Sequence, residues 1–348
     1  DLKFSEQRLE SYRNFMNKLW NATRFSLAAL TDFKTPAAGT KALPKKSDLS
    51  VFDQWLIYKL AQTEKTVEEA MEQDRFADAA NALYKFVWYE FCDWYIEFIK
   101  PVVHTNNQNN NQNTDAQTTE DQAHRQATQL VLAQALNRVM RLLHPFIPFV
   151  TEELYQKLPI KNAVCMLDQY PNIRNDKDFL QLGSETAALE VDLVKEVISE
   201  IRTIRGENRM SPAEKIKVRV VPENAQAKAL LTQNKEIMTA MARLSDLEIT
   251  DSEGNLAKCA VATAIVQNWQ VKVIIPLEGL VDIDEEIKRV QKTIEKLSKD
   301  TSSLSGRLNN ENFVKNAAED VVEADRLLLT QSQKQLIDLQ QALVRLQS

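Results

Sequence analysis

Arg13, Asn14, Asn17, Asn21 and Arg24 fall in a stretch, Ser11 to Thr31, that holds no carboxylate. If that stretch is helical, Arg13, Asn17, Asn21 and Arg24 lie within about 80° of one another, and Asn14 extends the face. Guanidinium groups present paired donors and carboxamides offer both donor and acceptor, which is what phosphate oxygens and base edges require. The same face could equally form a polar seam between helices, with Glu10 pairing to Arg13 one turn on. A second set, Arg202, Arg205 and Arg209, is spaced by three and four, with Lys215, Lys217 and Arg219 just beyond. It suits an RNA backbone, or simply complements the dipole of a helix C-terminus. A third set is Lys288, Arg289, Lys292, Lys296 and Lys299, with only Glu295 among them. That run reads either as the solvated flank of a coiled coil or as an edge that tracks phosphates.

The elements that must carry these sets are mostly helical. The third set lies on a stripe of Ile283, Ile287, Val290, Ile294, Leu297, Leu304 and Leu308, with Thr301 in one slot. A second stripe follows as Val322, Leu329, Leu336, Leu339, Leu343 and Leu346, with Asp325 and Ser332 in two slots. Two such stripes separated by a short break predict an antiparallel coiled-coil hairpin. Each arm would be on the order of 40 Å long at 1.5 Å per residue, enough to touch something distant. The first set sits on a helix over 5–31, followed by helices over 48–73 and 75–99. The last of these carries Phe76, Tyr84, Phe86, Trp88, Tyr89, Phe91, Trp94, Tyr95 and Phe98, an aromatic stripe that reads as core.

Between Thr105 and Gln129 there is no large apolar residue, and positions 106–113 are all Asn or Gln, so a mobile surface loop is expected over about 105–126. Helices over 130–143 and 184–208 follow, the latter stopped by Ser211-Pro212. Ile216, Val218 and Val220 then alternate with basic residues as a half-exposed strand. A helix over 225–243 and strands near 246–250, 257–266 and 269–275 complete a small α+β unit, with Gly254-Asn255 and Asn268 as turn signals. The expected architecture is mainly α: a helical bundle over 1–183, a last bundle helix with a small α+β unit over 184–276, and the coiled-coil arm over 277–348.

Composition narrows the function. Six glycines in 348 residues disfavour a glycine-rich phosphate loop or an all-β sandwich. Cys92, Cys165 and Cys259 form no CxxC pair and read as free thiols, with no metal site expected. His104, His124 and His144 lie far in sequence from any nucleophile context. A net charge of −6 argues against a generic polyanion binder, so nucleic-acid contact must come from local patches. Discrete basic patches on an acidic chain suit a shaped polyanion, and a folded RNA fits better than duplex DNA. No stretch is long and apolar enough to span a membrane, and a cytosolic protein is expected. The start at Asp1, leading into a helix within a few positions, reads as a cut through a longer protein.

Four segments carry a family resemblance. Residues 12–25, from Tyr12-Arg13-Asn14-Phe15 to Ala22-Thr23-Arg24-Phe25, resemble the opening of the anticodon-binding helical domain of class I aminoacyl-tRNA synthetases for branched aliphatic amino acids. Leu143-His144-Pro145-Phe146-Ile147-Pro148 through Thr151-Glu152-Glu153-Leu154 is similar to a second motif of that group. Within it, Trp88-Tyr89-Glu90-Phe91-Cys92-Asp93-Trp94-Tyr95 resembles the valyl members. So does Ile275-Pro276-Leu277-Glu278-Gly279-Leu280-Val281-Asp282, which leads into the coiled coil. The HIGH and KMSKS signatures of the group, and its editing domain, are not found in this sequence.

The resemblance implies a C-terminal portion that binds the anticodon stem-loop and the outer corner of tRNA(Val). The catalytic half of the same polypeptide would use ATP with Mg, while this chain would need no cofactor and would be inactive alone, as a monomer. Arg13, Asn14, Asn17, Asn21, Arg24, Arg202, Arg205 and Arg209 become candidates for the anticodon region or the interface with the catalytic half. Lys288, Arg289, Lys292, Lys296 and Lys299 become candidates for the arm's tRNA contact. Two features depart from the family pattern: the Asn/Gln tract, and Asn316 to Glu319 where a proline is usual, for which a capping box from Asn316 to Glu319 is expected. The rival reading is a self-associating coiled-coil module with no RNA role.

Overall fold

The computed structural model describes residues 5–35, 43–103, 119–172, 177–211 and 213–348. The chain forms two compact units, Asp1–Asp192 and Leu193–Ser348. In the first, α1 (Glu6–Ala29), α2 (Val51–Glu72) and α3 (Phe76–Lys85) lead through a wide π-helical stretch, Phe86–Tyr95, into α4 (Ile96–Val103). Then come α5 (Thr119–Leu143), α6 (Pro148–Tyr155), a tight turn at Cys165–Leu167 and α7 (Lys177–Leu180). The helix expected over 75–99 is thus one unbroken helical run whose middle segment has wider, π-helical turns.

Core contacts in this unit come from Trp55, Leu56, Leu60, Leu83, Phe91, Tyr95, Leu132 and Val139, all fully buried. A polar node is buried among them. Ser50 and Asp53 form a capping box that starts α2, and the same Asp53 carboxylate accepts from Tyr95 Oη at 2.8 Å and Thr128 Oγ1 at 3.0 Å. Arg138 and Glu64 form a buried two-pronged ion pair at 2.7 Å. Gly183 passes so close to α2 that a Cβ there would meet the Tyr58 backbone nitrogen at 2.6 Å.

The expected loop over about 105–126 is corrected at its C-terminal end, since α5 begins at Thr119 rather than near Leu130. The added turns bury little apolar surface. Polar contacts hold them instead: Arg125 grips Asp32 at 2.5 and 3.1 Å, and Gln129 Nε2 donates to Ala29 O at 2.9 Å and Asp32 at 2.8 Å. Arg125 and Gln129 hold the Asp32 carboxyl below its usual range despite partial burial. The Asn/Gln tract itself, Gly39, His104 and Pro212 lie outside the described residues.

α8 (Glu185–Glu207) begins in the first unit and ends in the second. There β1 (Ile216–Pro222), α9 (Ala225–Gln233), α10 (Lys235–Met241), β2 (Leu244–Ile249), β3 (Cys259–Val266) and β4 (Trp269–Pro276) build a four-stranded mixed sheet in the order β2-β1-β4-β3. β1 runs parallel to β2 and antiparallel to β4, with Val220 opposite Val273. Ile216, Val218 and Val220 face inward as their alternation requires. The single helix expected over 225–243 is broken at Asn234, whose side chain bonds back to Leu230 O at 2.9 Å. In the β3–β4 turn the positive φ falls on Gln267, at +51°, rather than on Asn268.

The arm consists of α11 (Ile283–Leu308), a short α12 (Glu311–Asn316) and α13 (Glu319–Gln347). Its seam follows the two stripes: Val290, Val322 and Leu346 are buried, Ser332 is buried in its slot, and Asp325 pairs with Arg307 at 2.9 Å. That pair joins the end of α11 to the beginning of α13, as an antiparallel hairpin demands. At the other end Lys258 N donates to Arg345 O at 2.7 Å, tying the arm to the sheet beside β3. The capping box expected from Asn316 to Glu319 does not form the cap. Ala318 occupies the N-cap of α13 with no side-chain bond, because α12 continues through Asn316.

Candidate nucleic-acid interface

α1 is buried along Phe15, Leu19, Ala22, Thr23, Ser26 and Ala29. The opposite face is therefore presented outward, and Arg13, Asn14, Asn17, Asn21 and Arg24 are all exposed on it. Arg13 lies 3.5 Å from Glu10, a pair so exposed that it constrains Arg13 little. Beside the polar row runs a second, apolar one: Leu9, Tyr12, Met16 and Trp20 are 53, 60, 36 and 41% exposed. Their spacing is that of a core stripe, and for that reason sequence reasoning missed them as surface.

A ladder of rings leads from α1 into the aromatic segment. Phe15 packs on Tyr84 at 5.1 Å, and Tyr84 stacks on Trp88 at 5.6 Å. Lys18, paired with Asp93, lies 3.8 Å above the Trp88 ring. Tyr89 meets Tyr84 edge-on at 6.3 Å and is itself 51% exposed, and with Phe76 at 52% the stripe read as core has two outward members. Tyr89 also borders an open groove of about 540 Å³ between α2, α3 and the π-helical stretch. Lys59, Gln62, Thr63, Thr66, Ala82, Lys85, Phe86 and Glu90 line the rest of it, with Lys59 held 2.9 Å from Asp192. An aromatic face beside hydroxyl, amide and ammonium groups suits an unstacked nucleotide. The family-like segment 88–95 supplies Tyr89 and Glu90, but its partners come from α2 and α3, so the sequence did not mark the groove itself.

The set on α8 is divided by the structure. Arg205 is 7% exposed and donates to four backbone carbonyls: Ala242 at 3.0 Å, Arg243 at 3.4 Å, Ser211 at 2.8 Å and Glu214 at 2.7 Å. It fastens α8 to the sheet and is withdrawn from the candidate surface. Arg202 donates to Met241 O at 3.2 Å from an exposed position. Arg209 is exposed with φ +52° at the helix end, while Arg219 is engaged by Glu248 at 2.9 Å.

On the arm, Lys288, Lys292, Lys296 and Lys299 are exposed on α11 and, among the described residues, form no ion pair. At 100° per residue they span about 80° of one face. Arg289 belongs elsewhere: its guanidinium meets both oxygens of the buried Glu286, at 2.8 and 2.5 Å, and that bond favours its charged form still further. The lysine edge is therefore four point charges on one continuous helix.

Comparison with known proteins matches two stretches of the sequence to families. The family model for the anticodon-binding domain of tRNA ligases covers residues 53–220, and that for the valyl tRNA synthetase tRNA binding arm covers residues 282–347. α1 lies outside both matches. A valine-tRNA ligase of Bdellovibrio bacteriovorus is 60% identical over 347 residues, covering 100% of this chain and 37% of the relative. Those of Geobacter sulfurreducens and Aquifex aeolicus are 38 and 31% identical, covering 94 and 100% of this chain but 34 and 28% of their own length. The chain thus spans about a third of the curated relatives it matches. Among the described residues no helix is long and apolar enough to cross a membrane. The chain belongs to the valine-tRNA ligase family and carries the C-terminal region of that family, its anticodon-binding domain and tRNA-binding arm.

Proposed function

We propose that this chain grips tRNA(Val) at two points, in support of ATP- and Mg-dependent valylation by the catalytic half of the same polypeptide in the cytoplasm. The observation that carries the reading is the unpaired lysine edge of α11 within the segment that matches a tRNA-binding arm. The helical bundle, 1–183, takes the anticodon stem-loop. The arm, 277–348, packs on the outer corner of the tRNA through phosphates, and 184–276 connects them. In the bundle, the groove beside Tyr89 receives an unstacked base. The exposed row Arg13, Asn14, Asn17, Asn21 and Arg24 meets either the stem-loop or the catalytic half, and the adjoining Leu9, Tyr12, Met16 and Trp20 favour the protein surface.

The test is a binding titration of the chain with tRNA carrying the valine anticodon against one with that anticodon replaced. Tighter binding of the first by 10-fold or more supports anticodon reading; equal affinities leave recognition of shape and charge alone. A second reading, self-association through the arm, has one observation in its favour: Val321, Leu327, Leu328, Ile337 and Val344 are exposed on α13. Light scattering decides it. A monomer with and without tRNA removes self-association, and a dimer that tRNA does not alter favours it.

A further inference from the structure

The end of α5, the start of α6 and the turn Cys165–Leu167 bring together three residues used by neither surface above. One imidazole nitrogen of His144, one carboxylate oxygen of Glu152 and the sulfur of Cys165 all lie within 4.8 Å of one another. We propose that these three side chains bind a divalent transition-metal ion, with zinc the best match to the donors. Sulfur, imidazole nitrogen and carboxylate oxygen are a zinc donor set, whereas magnesium and calcium take oxygens. Zinc holds such donors at roughly 2.0–2.3 Å, which in a tetrahedron sets them roughly 3.3–3.8 Å apart, so side-chain shifts of about 1 Å close the set.

The hydrogen bonds behind the three donors already orient them. Thr151 Oγ1 lies 3.0 and 3.1 Å from the carbonyl oxygens of Ile147 and Pro148, which can only accept. Its one proton goes to them, so the hydroxyl accepts from His144 Nδ1 at 2.8 Å. With Nδ1 as the donor, the lone pair of the ring falls to Nε2, the atom a metal would take. The Glu152 carboxylate accepts from Cys165 N at 3.0 and 3.2 Å and from Gln156 Nε2 at 2.6 Å. These bonds hold it against the turn without exhausting its four lone-pair directions. Cys165 is 3% exposed, so its sulfur has little freedom to turn away.

On binding, the thiol S–H bond breaks, its proton leaves to solvent and a metal–sulfur bond forms. The fourth position is left for a water. The ion would pin the Cys165–Leu167 turn to α6, and with it Met166 and Leu167, which are 73 and 80% exposed.

The test uses the whole chain, stripped with a chelator and titrated with Co²⁺ alone, then with Zn²⁺ against a chromophoric chelator. One equivalent of cobalt should give a thiolate charge-transfer absorption together with visible bands of tetrahedral strength, and zinc should displace both. Cys165→Ser should abolish the charge-transfer band and weaken zinc by more than the roughly 10–100-fold that loss of a supporting hydrogen bond costs. Glu152→Gln keeps an acceptor oxygen for the turn, so it should weaken zinc while the metal-free melting curve stays that of the parent chain. Cys92→Ser and Cys259→Ser should leave the titration unchanged. A chain that takes up no cobalt, or a band that survives Cys165→Ser or vanishes with Cys259→Ser, overturns the proposal.

Discussion

Arg205 and Lys292 each sit in a helical run of cations spaced by three and four, yet the Arg205 guanidinium faces four backbone carbonyls while the Lys292 ammonium faces solvent. Position in the fold explains the difference. Arg205 lies in the last turn of α8, where the end of α10 and the turn before β1 leave carbonyls without helical partners, and a planar fork of donors satisfies several at once. Lys292 lies in the middle of a 26-residue helix whose own ladder satisfies every nearby carbonyl, so nothing internal competes for its charge. The lesson is that a helix-end cation within reach of unpartnered carbonyls, as Arg205 is, is drawn into the protein's own backbone. Those along an uninterrupted face stay outward unless a carboxylate one turn away engages them, as Glu286 does Arg289.

The sharpest way to break this contrast is Arg205→Ala. Leaving several buried carbonyls unpaired should lower the unfolding free energy by about 3 kcal/mol, read from urea denaturation. Arg205→Lys should rescue little, since one ammonium cannot span four acceptors. A loss below about 1 kcal/mol would return Arg205 to the pool of ligand-binding candidates. Next in size is the combined change of Lys288, Lys292, Lys296 and Lys299 to Gln. If all four meet phosphates, the slope of log affinity for tRNA against log salt should shrink by about three, with roughly 100-fold weaker binding near 0.1 M salt. Stability should stay within about 0.5 kcal/mol, because these side chains are exposed and unpaired. An unchanged slope would remove the arm's lysine edge from the binding surface.

The elements whose pattern is set by local periodicity were legible before any coordinates. The two seams of the arm can be read residue by residue, down to Thr301, Asp325 and Ser332, because a coiled coil buries the same positions every turn. β1 likewise follows its alternation. What could not be read depends on partners distant in sequence. The first turns of α5 are held by Asp32 and Ala29, so a stretch without large apolar residues is helical where a loop was expected. Arg289 looked like one more cation of the arm until Glu286 engaged it. Leu9, Tyr12, Met16 and Trp20 have core spacing but lie outward, because the opposite side of α1 is the one that meets the bundle.

The smallest expected effect tests the helix-end half of the contrast through the backbone. Met210 N donates to Arg205 O at 2.9 Å and Arg209 N to Gly206 O at 3.1 Å, which together form a Schellman closure of α8 with Arg209 at its left-handed position, φ +52°. A side chain is strained at such a φ, and glycine relieves it. Arg209→Gly should therefore raise stability by about 0.5–1 kcal/mol, less the entropy that glycine adds to the unfolded chain. Because the same change deletes an exposed cation, it separates two roles that the sequence superimposes. If Arg209 serves only to end the helix, thermal midpoint rises and the salt slope for tRNA stays fixed. If its guanidinium also meets a phosphate, the slope falls by about one while the midpoint still rises.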